Sequence, residues 1–126
     1  MSFFGIDVES IPEQELLAAG SEHDFEICDV KFEENKNGEP MISLRLASLD
    51  QPDADVVFER LTIRPNGYPA RRLKQFSAAA DLGGLAVNNE NAAEILQGRI
   101  VRARIKHETY EGELRHVIAR FLPPAH

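Results

Sequence analysis

Hydrophobic and polar positions alternate along most of this chain, most clearly between Gly98 and Leu122. That stretch reads GRIVRARIKHETYEGELRHVIARFL, two period-two runs flanking a turn at Tyr110-Glu111-Gly112-Glu113. Successive side chains of a strand point to opposite faces. Val101, Ala103 and Ile105 therefore share one face, and Arg102, Arg104 and Lys106 share the other. In the returning run Val117, Ala119 and Phe121 join the apolar face, while His116 and Arg120 point away. The pattern predicts a closing hairpin with one buried and one basic face, and Gly112 supplies the positive φ of a tight connection.

The same rule places three strands earlier in the chain. Over residues 22–34, Phe25 and Ile27 have one parity and Val30 and Phe32 the other. A bulge near Cys28-Asp29 lets both sets face one core, with Phe32 as a core residue. Asn37-Gly38 is a strong hairpin turn. The next strand, Met41 to Leu49, turns Ile42, Leu44 and Leu46 inward and Ser43 and Arg45 outward, and ends in the turn at Asp50-Gln51-Pro52-Asp53. A third strand, from about Asp55 to Arg64, turns Leu61 and Ile63 inward and Phe58, Arg60, Thr62 and Arg64 outward. One bulge there would instead turn Phe58 inward. After Pro65-Asn66-Gly67 the spacing of Leu73, Phe76 and Ala80 predicts a helix from Tyr68 or Pro69 to Ala80, with Arg71, Arg72 and Lys74 on its solvated side. A short helix follows at about Asn91 to Gln97. Glu13 to Ala19 suggests one or two helical turns stopped by Gly20, loosely attached or covering one end of the domain.

Three strands, a helix and two strands is the order of the five-stranded OB barrel, and a bent first strand suits barrel closure. The expected fold class is all-β with one main helix. The expected interior is Ile27, Leu44, Leu46, Leu61, Ile63, Val101, Ala103, Ile105 and Val117. Residues 1–20 form the lead-in, 21–123 the barrel and 124–126 a short end after Pro123.

Composition changes this picture in one respect. The formal charge of −7 argues against a nucleic-acid partner, but its distribution does not. Residues 1–59 carry 15 acids and 3 Lys/Arg, a balance of −12; residues 60–126 carry 6 acids and 11 Lys/Arg, a balance of +5. Cys28 is the sole cysteine, which excludes an intrachain disulfide and fits a reducing cytoplasm. No apolar run approaches the roughly 20 residues of a membrane span, and the acidic start lacks the basic region of a secretory signal. His23, His107, His116 and His126 show no metal-ligand spacing, and no phosphate loop, dinucleotide fingerprint or nucleophile elbow is present. The expectation is a binding protein, not an enzyme, with no cofactor and no metal.

Five segments, in this order and spacing, resemble a family of phage-encoded proteins, formerly a conserved domain of unknown function, regarded as OB-fold single-stranded-DNA-binding proteins. They are AAGSEHDFEICDV, KNGEPMISLRL, FERLTI, RRLKQFSAAADL and LQGRIVRARIKHETYEGELRHVIARFLPP, spanning about Ala19 to Pro123. The resemblance implies largely sequence-independent binding of single-stranded DNA in phage replication or recombination. Proteins of those processes are the partners it implies, homo-oligomers are compatible with it, no membrane is involved, and the setting is the host cytoplasm. It defines no residue-level site. Bacterial single-strand binders end in a long acidic tail that recruits partners; this sequence instead ends shortly after Pro123-Pro124.

Binding single strands without sequence preference needs cations for phosphates and flat side chains for bases. The outward parities and the hairpin loops nominate Lys36, Arg45, Phe58, Arg60, Arg64, Arg102, Arg104, Lys106, Tyr110 and Arg120, with Phe32 and Tyr68 as further aromatic candidates. Arg102, Arg104 and Lys106 stand two strand steps apart, roughly 7 Å, close to the phosphate spacing of an extended strand. Tyr110 at the hairpin tip would stack a base at the end of that track. The alternative is an OB-fold protein-interaction module, an adaptor or an acidic DNA mimic, that binds no nucleic acid.

Overall fold

The computed structural model describes residues 2–10 and 14–124. Two short strands, β1 (Ser2–Phe3) and β2 (Ile6–Asp7), pair only with each other. The other five, β3 (Glu22–Glu34), β4 (Pro40–Ser48), β5 (Val57–Thr62), β6 (Ile100–Tyr110) and β7 (Glu113–Leu122), form one antiparallel sheet in the order β5-β4-β3-β6-β7. Two helices, α1 (Gly67–Ala79) and α2 (Ala92–Leu96), fill the connection between β5 and β6. No helix among the described residues is long and apolar enough to cross a membrane.

β3 is the central strand, and its bulge falls where the parity switch requires it. Ile27 pairs with Leu46 and Asp29 with Arg45, leaving Cys28 without a partner. The extra residue brings Phe25, Ile27 and Val30 to one buried face. Phe32 departs from expectation: it keeps the inward parity opposite Ile42, but near the end of β3 it runs past the core and is 44% exposed.

The closing hairpin contains a second irregularity that the alternation does not reveal. Its turn is Glu111-Gly112, both at positive φ (52° and 79°), which matches the twist of the flanking strands. Arg104 pairs with Arg120 and Ile105 with Ile118, so Ala119 has no partner. A one-residue slip flips every side chain beyond it to the other face. Ile118 and His116 are therefore buried, and Val117 turns outward beside Lys106. This corrects the expected inward Val117 and Ala119 and the expected outward His116; Phe121, on the far side of the slip, is buried as expected.

Ile27, Leu44, Leu46, Leu61, Val101, Ala103 and Ile105 all lie in the core. Ile63 does not, because β5 begins and ends two residues inside the expected limits; Val57 occupies the core instead. α1 closes the bottom of the core with Phe76 and Ala79, the Phe76 ring meeting Phe121 edge-on at 5.2 Å. Arg72 is not on a solvated face of α1. Its guanidinium reaches Glu59 on β5 (2.8 Å), donates to the Ala119 carbonyl on β7 (3.4 Å) and lies over the Phe121 ring. β5 and β7 are the two edges of the sheet, so Arg72 bridges them, while among the described residues no backbone ladder does.

No helix forms over the described part of Glu13–Ala19; Glu13 itself lies outside the described residues, as do Ala125 and His126 at the other end. The segment runs irregularly to a turn at Gly20 and is tied down, covering one end of the sheet. Leu17 is fully buried, its N–H donates to His116 Nδ1 (3.0 Å), and its carbonyl accepts from His107 Nε2 (2.7 Å). Since His116 Nδ1 accepts, its proton sits on Nε2, which donates to the Val56 carbonyl (3.3 Å). Burial holds His116 below the usual histidine range. The folded state then binds fewer protons than the unfolded one between the depressed value and about 6.5, so stability should fall as pH drops through that window. Urea midpoints measured at closely spaced pH values should show this decline, and His116→Gln should remove it. A parent midpoint that is flat below pH 6.5 would contradict the assignment.

Candidate nucleic-acid interface

The register across β3, β4 and β5 sets three outward rows: Asp29–Arg45–Phe58, Lys31–Ser43–Arg60 and Glu33–Met41–Thr62. Phe58 keeps the outward parity and is 63% exposed, with the Arg45 guanidinium 5.3 Å from its ring centre. This face leads into a cleft of about 940 Å³ between β5, the start of α1 and the β6–β7 hairpin. Phe58, Arg60 and Thr62 form one wall; Tyr68 and Arg72 come from α1, and Lys106, Arg115 and Val117 from the hairpin. Tyr68 is 62% exposed, so two aromatic rings stand open at the cleft.

Glu59 lies at its floor. The inward parity of β5 places this carboxylate between Val57 and Leu61, opposite Leu44. Burial raises its pKa, and the attraction of Arg72 and Lys106 only partly offsets that rise. The pair is nearly closed to solvent, with the Arg72 and Glu59 side chains 13% and 11% exposed. The cleft's remaining charges are mixed: Asp55, Glu108 and Glu113 line it alongside Arg60, Lys106 and Arg115, and Arg115 is held by Glu108 at 3.2 Å.

The nominated residues fall into two groups. Arg45, Phe58, Arg60 and Lys106 lie on the outward β4–β5 face or in the cleft, and none of these three cations makes an ion pair among the described residues. Arg102 and Arg104, in contrast, are compensated. The β3–β6 register sets Glu22 opposite Arg104 and Asp24 opposite Arg102. Arg104 grips Glu22 through two nitrogens (2.7 and 3.1 Å) and Arg102 meets Asp24 at 3.3 Å. The Arg104 hydrogen bond lowers the Glu22 pKa. Arg64 forks onto Glu39 and lowers that carboxyl likewise. Arg120 sits beside Arg104 on the same face, Lys36 is exposed in the β3–β4 turn, and Tyr110 lies under the Arg115 guanidinium at 4.5 Å without lining the cleft.

Arg115 and Glu59 escaped the sequence reading. The signal for Glu59 was present, a lone carboxylate at an inward position of an apolar strand. Arg115 had none, because its placement depends on the register slip at Ala119. A further polar chain links Ser21 Oγ to His23 Nε2 (2.7 Å) and His23 Nδ1 to Asp50 (2.9 Å). The Ser21 hydroxyl donates to the Ala18 carbonyl and neither Ser21 nor His23 lines the cleft, so this chain ties β3 to the turn after β4. The His23 and Ser48 hydrogen bonds hold the Asp50 carboxyl below its usual range. Among the described residues no three His, Cys, Asp or Glu side chains group as metal ligands.

No protein-family model matches the chain, and no match is found among curated proteins.

Proposed function

We propose that the chain binds single-stranded DNA without strong sequence preference, along the outward β4–β5 face and into the adjoining cleft. The observation that carries this reading is the combination, on one surface, of open aromatic rings with cations that form no ion pair among the described residues: Phe58 and Tyr68 with Arg45, Arg60 and Lys106. Phosphates need the first and unstacked bases the second. The strand order and the helix between the third and fourth sheet strands support reading the sheet as OB-like, and in an OB barrel this strand face is the usual ligand surface. Arg72 contacts Glu59 on one edge strand and the Ala119 carbonyl on the other, and His116 of β7 donates to the Val56 carbonyl just before β5, which supports a sheet whose edges approach each other. The resemblance to phage single-strand binders points the same way, towards replication or recombination.

The test is a fluorescence titration with oligo(dT) and with a duplex of equal length at several salt concentrations. Single strands should bind more tightly, because an intact duplex offers no free base faces. The logarithm of affinity should fall with the logarithm of salt by about 0.7 per phosphate contacted, hence roughly 2 for three cations. No binding at the lowest salt would refute the reading. It would favour a protein-interaction module instead, which the compensation of Arg102 and Arg104 by Asp24 and Glu22 already suits.

A further inference from the structure

A strap of irregular chain, residues 14–18, bounds the cleft at one end, and Gln14 and Leu16 line its wall. The strap is held from both sides of the gap between the two edge strands. Gln14 Nε2 donates to the Leu114 carbonyl on β7 (3.1 Å), and the Glu15 carbonyl accepts from the Asp55 N–H just before β5 (2.9 Å). Leu17, fully buried, has a histidine at each of its backbone groups, His116 of β7 at its N–H and His107 of β6 at its carbonyl. Gly20, at a φ of 83°, donates to the Ile105 carbonyl (2.7 Å) and so fixes the far end of the strap to β6.

The two histidines respond differently to a proton. His107 donates to Leu17, and a second proton on its ring leaves that bond in place. His116 accepts from Leu17 through Nδ1, so a proton there sets one N–H against another and abolishes the bond, while Nε2 still donates to Val56. Burial opposes the His116 imidazolium most strongly. The Val56 carbonyl and Asp55 favour it, and His107, its register partner on β6, opposes it. Glu113 and Arg115 flank it on its own strand, and Glu59 of β5 and Arg72 of α1 hold each other at the cleft floor. A buried cation facing a donor is relieved when the strap lets go and water reaches the ring.

We propose that residues 14–18 are a proton-operated gate on the cleft. Protonation of His116 releases the strap about the Gly20 turn, lengthens the cleft and leaves His116 as one more cation on its wall. The release follows from the strap and the ring alone. Its consequence for binding rests on the single-stranded-DNA reading above: affinity rises as the medium is acidified, because the open state offers a longer path and a further phosphate contact.

Hydrogen exchange of single amides in the full chain, followed by NMR across a pH series and in low urea, tests the gate. Protection is taken relative to an unstructured peptide at the same pH. The Leu17 amide should be less protected than the amides of the β4–β5 ladder and insensitive to urea below the unfolding transition, because it opens locally. Between about pH 6.5 and the depressed value of His116 its protection should fall about tenfold per pH unit, as opening takes up one proton. In His116→Gln, whose side-chain carbonyl can still accept from Leu17, that fall should vanish. Oligo(dT) affinity should rise over the same range more steeply in the parent than in the variant. A Leu17 amide whose protection is flat below pH 6.5, or follows urea as the ladder amides do, overturns the gate. An equal rise of affinity in parent and variant overturns its control of binding. Absence of oligo(dT) binding at every pH refutes the function instead, and the exchange of Leu17 still decides the gate.

Discussion

Arg72→Met should destabilise the protein by about 3–5 kcal/mol near neutral pH, because it strands the Glu59 carboxylate in a buried site without its partner. The loss should shrink as the medium is acidified. Glu59 already has a raised pKa from burial, so the folded state takes up a proton before the unfolded state does. Its ionisation therefore costs stability as pH rises from about 4.5 through the raised value, and losing Arg72 steepens that cost. Urea unfolding of parent and variant at pH 5 and pH 8 would measure it. Adding Glu59→Gln to Arg72→Met should recover much of the loss at pH 8 and little at pH 5. A penalty equal at both pH values would mean that Arg72 contributes through packing on Phe121, not through charge.

Phe58→Ala should weaken oligo(dT) binding by about 1–3 kcal/mol, the usual contribution of one base stacked on an aromatic ring. The salt dependence should be nearly unchanged, since no phosphate contact is lost. Arg60→Gln should do the reverse, reducing the salt slope by about 0.7 as one fewer counterion is released. Arg104→Gln is the informative contrast. By sequence it belongs to the central basic track, but Glu22 already compensates its charge, so its removal should alter binding little. Isotherms collected across a salt series for the three variants separate these outcomes. Parent-like binding by the Phe58 and Arg60 variants would place the DNA path elsewhere on the molecule.

Arg104 also shows where the sequence stops being informative. Its strand, its outward direction and its distance from Arg102 all follow from the alternation of side chains, a local property of any extended chain. So do the bulge at Cys28, since a change of parity between Ile27 and Val30 has few other solutions, and the apolar faces of β4 and β6. The helix after Asn66 and the tight turn at Glu111-Gly112 are equally local, set by proline, glycine and apolar spacing.

Whether an arginine is free or neutralised depends on which strand lies beside it. The −12 of the first half and the +5 of the second do not occupy separate surfaces, because the β3–β6 register sets Glu22 and Asp24 against Arg104 and Arg102. The slip at Ala119 turned His116 inward and Val117 outward with no trace in the alternation, since an alanine fits a regular strand as readily as a bulge. The Arg72–Glu59 pair joins a helix to a strand edge across the seam of the sheet, and neither residue's local pattern names the other. Alternation determined the strands, their faces and most of the core. Pairing between strands distant in sequence decided which charges remain for a ligand, because a charge is compensated by neighbours in space and not along the chain.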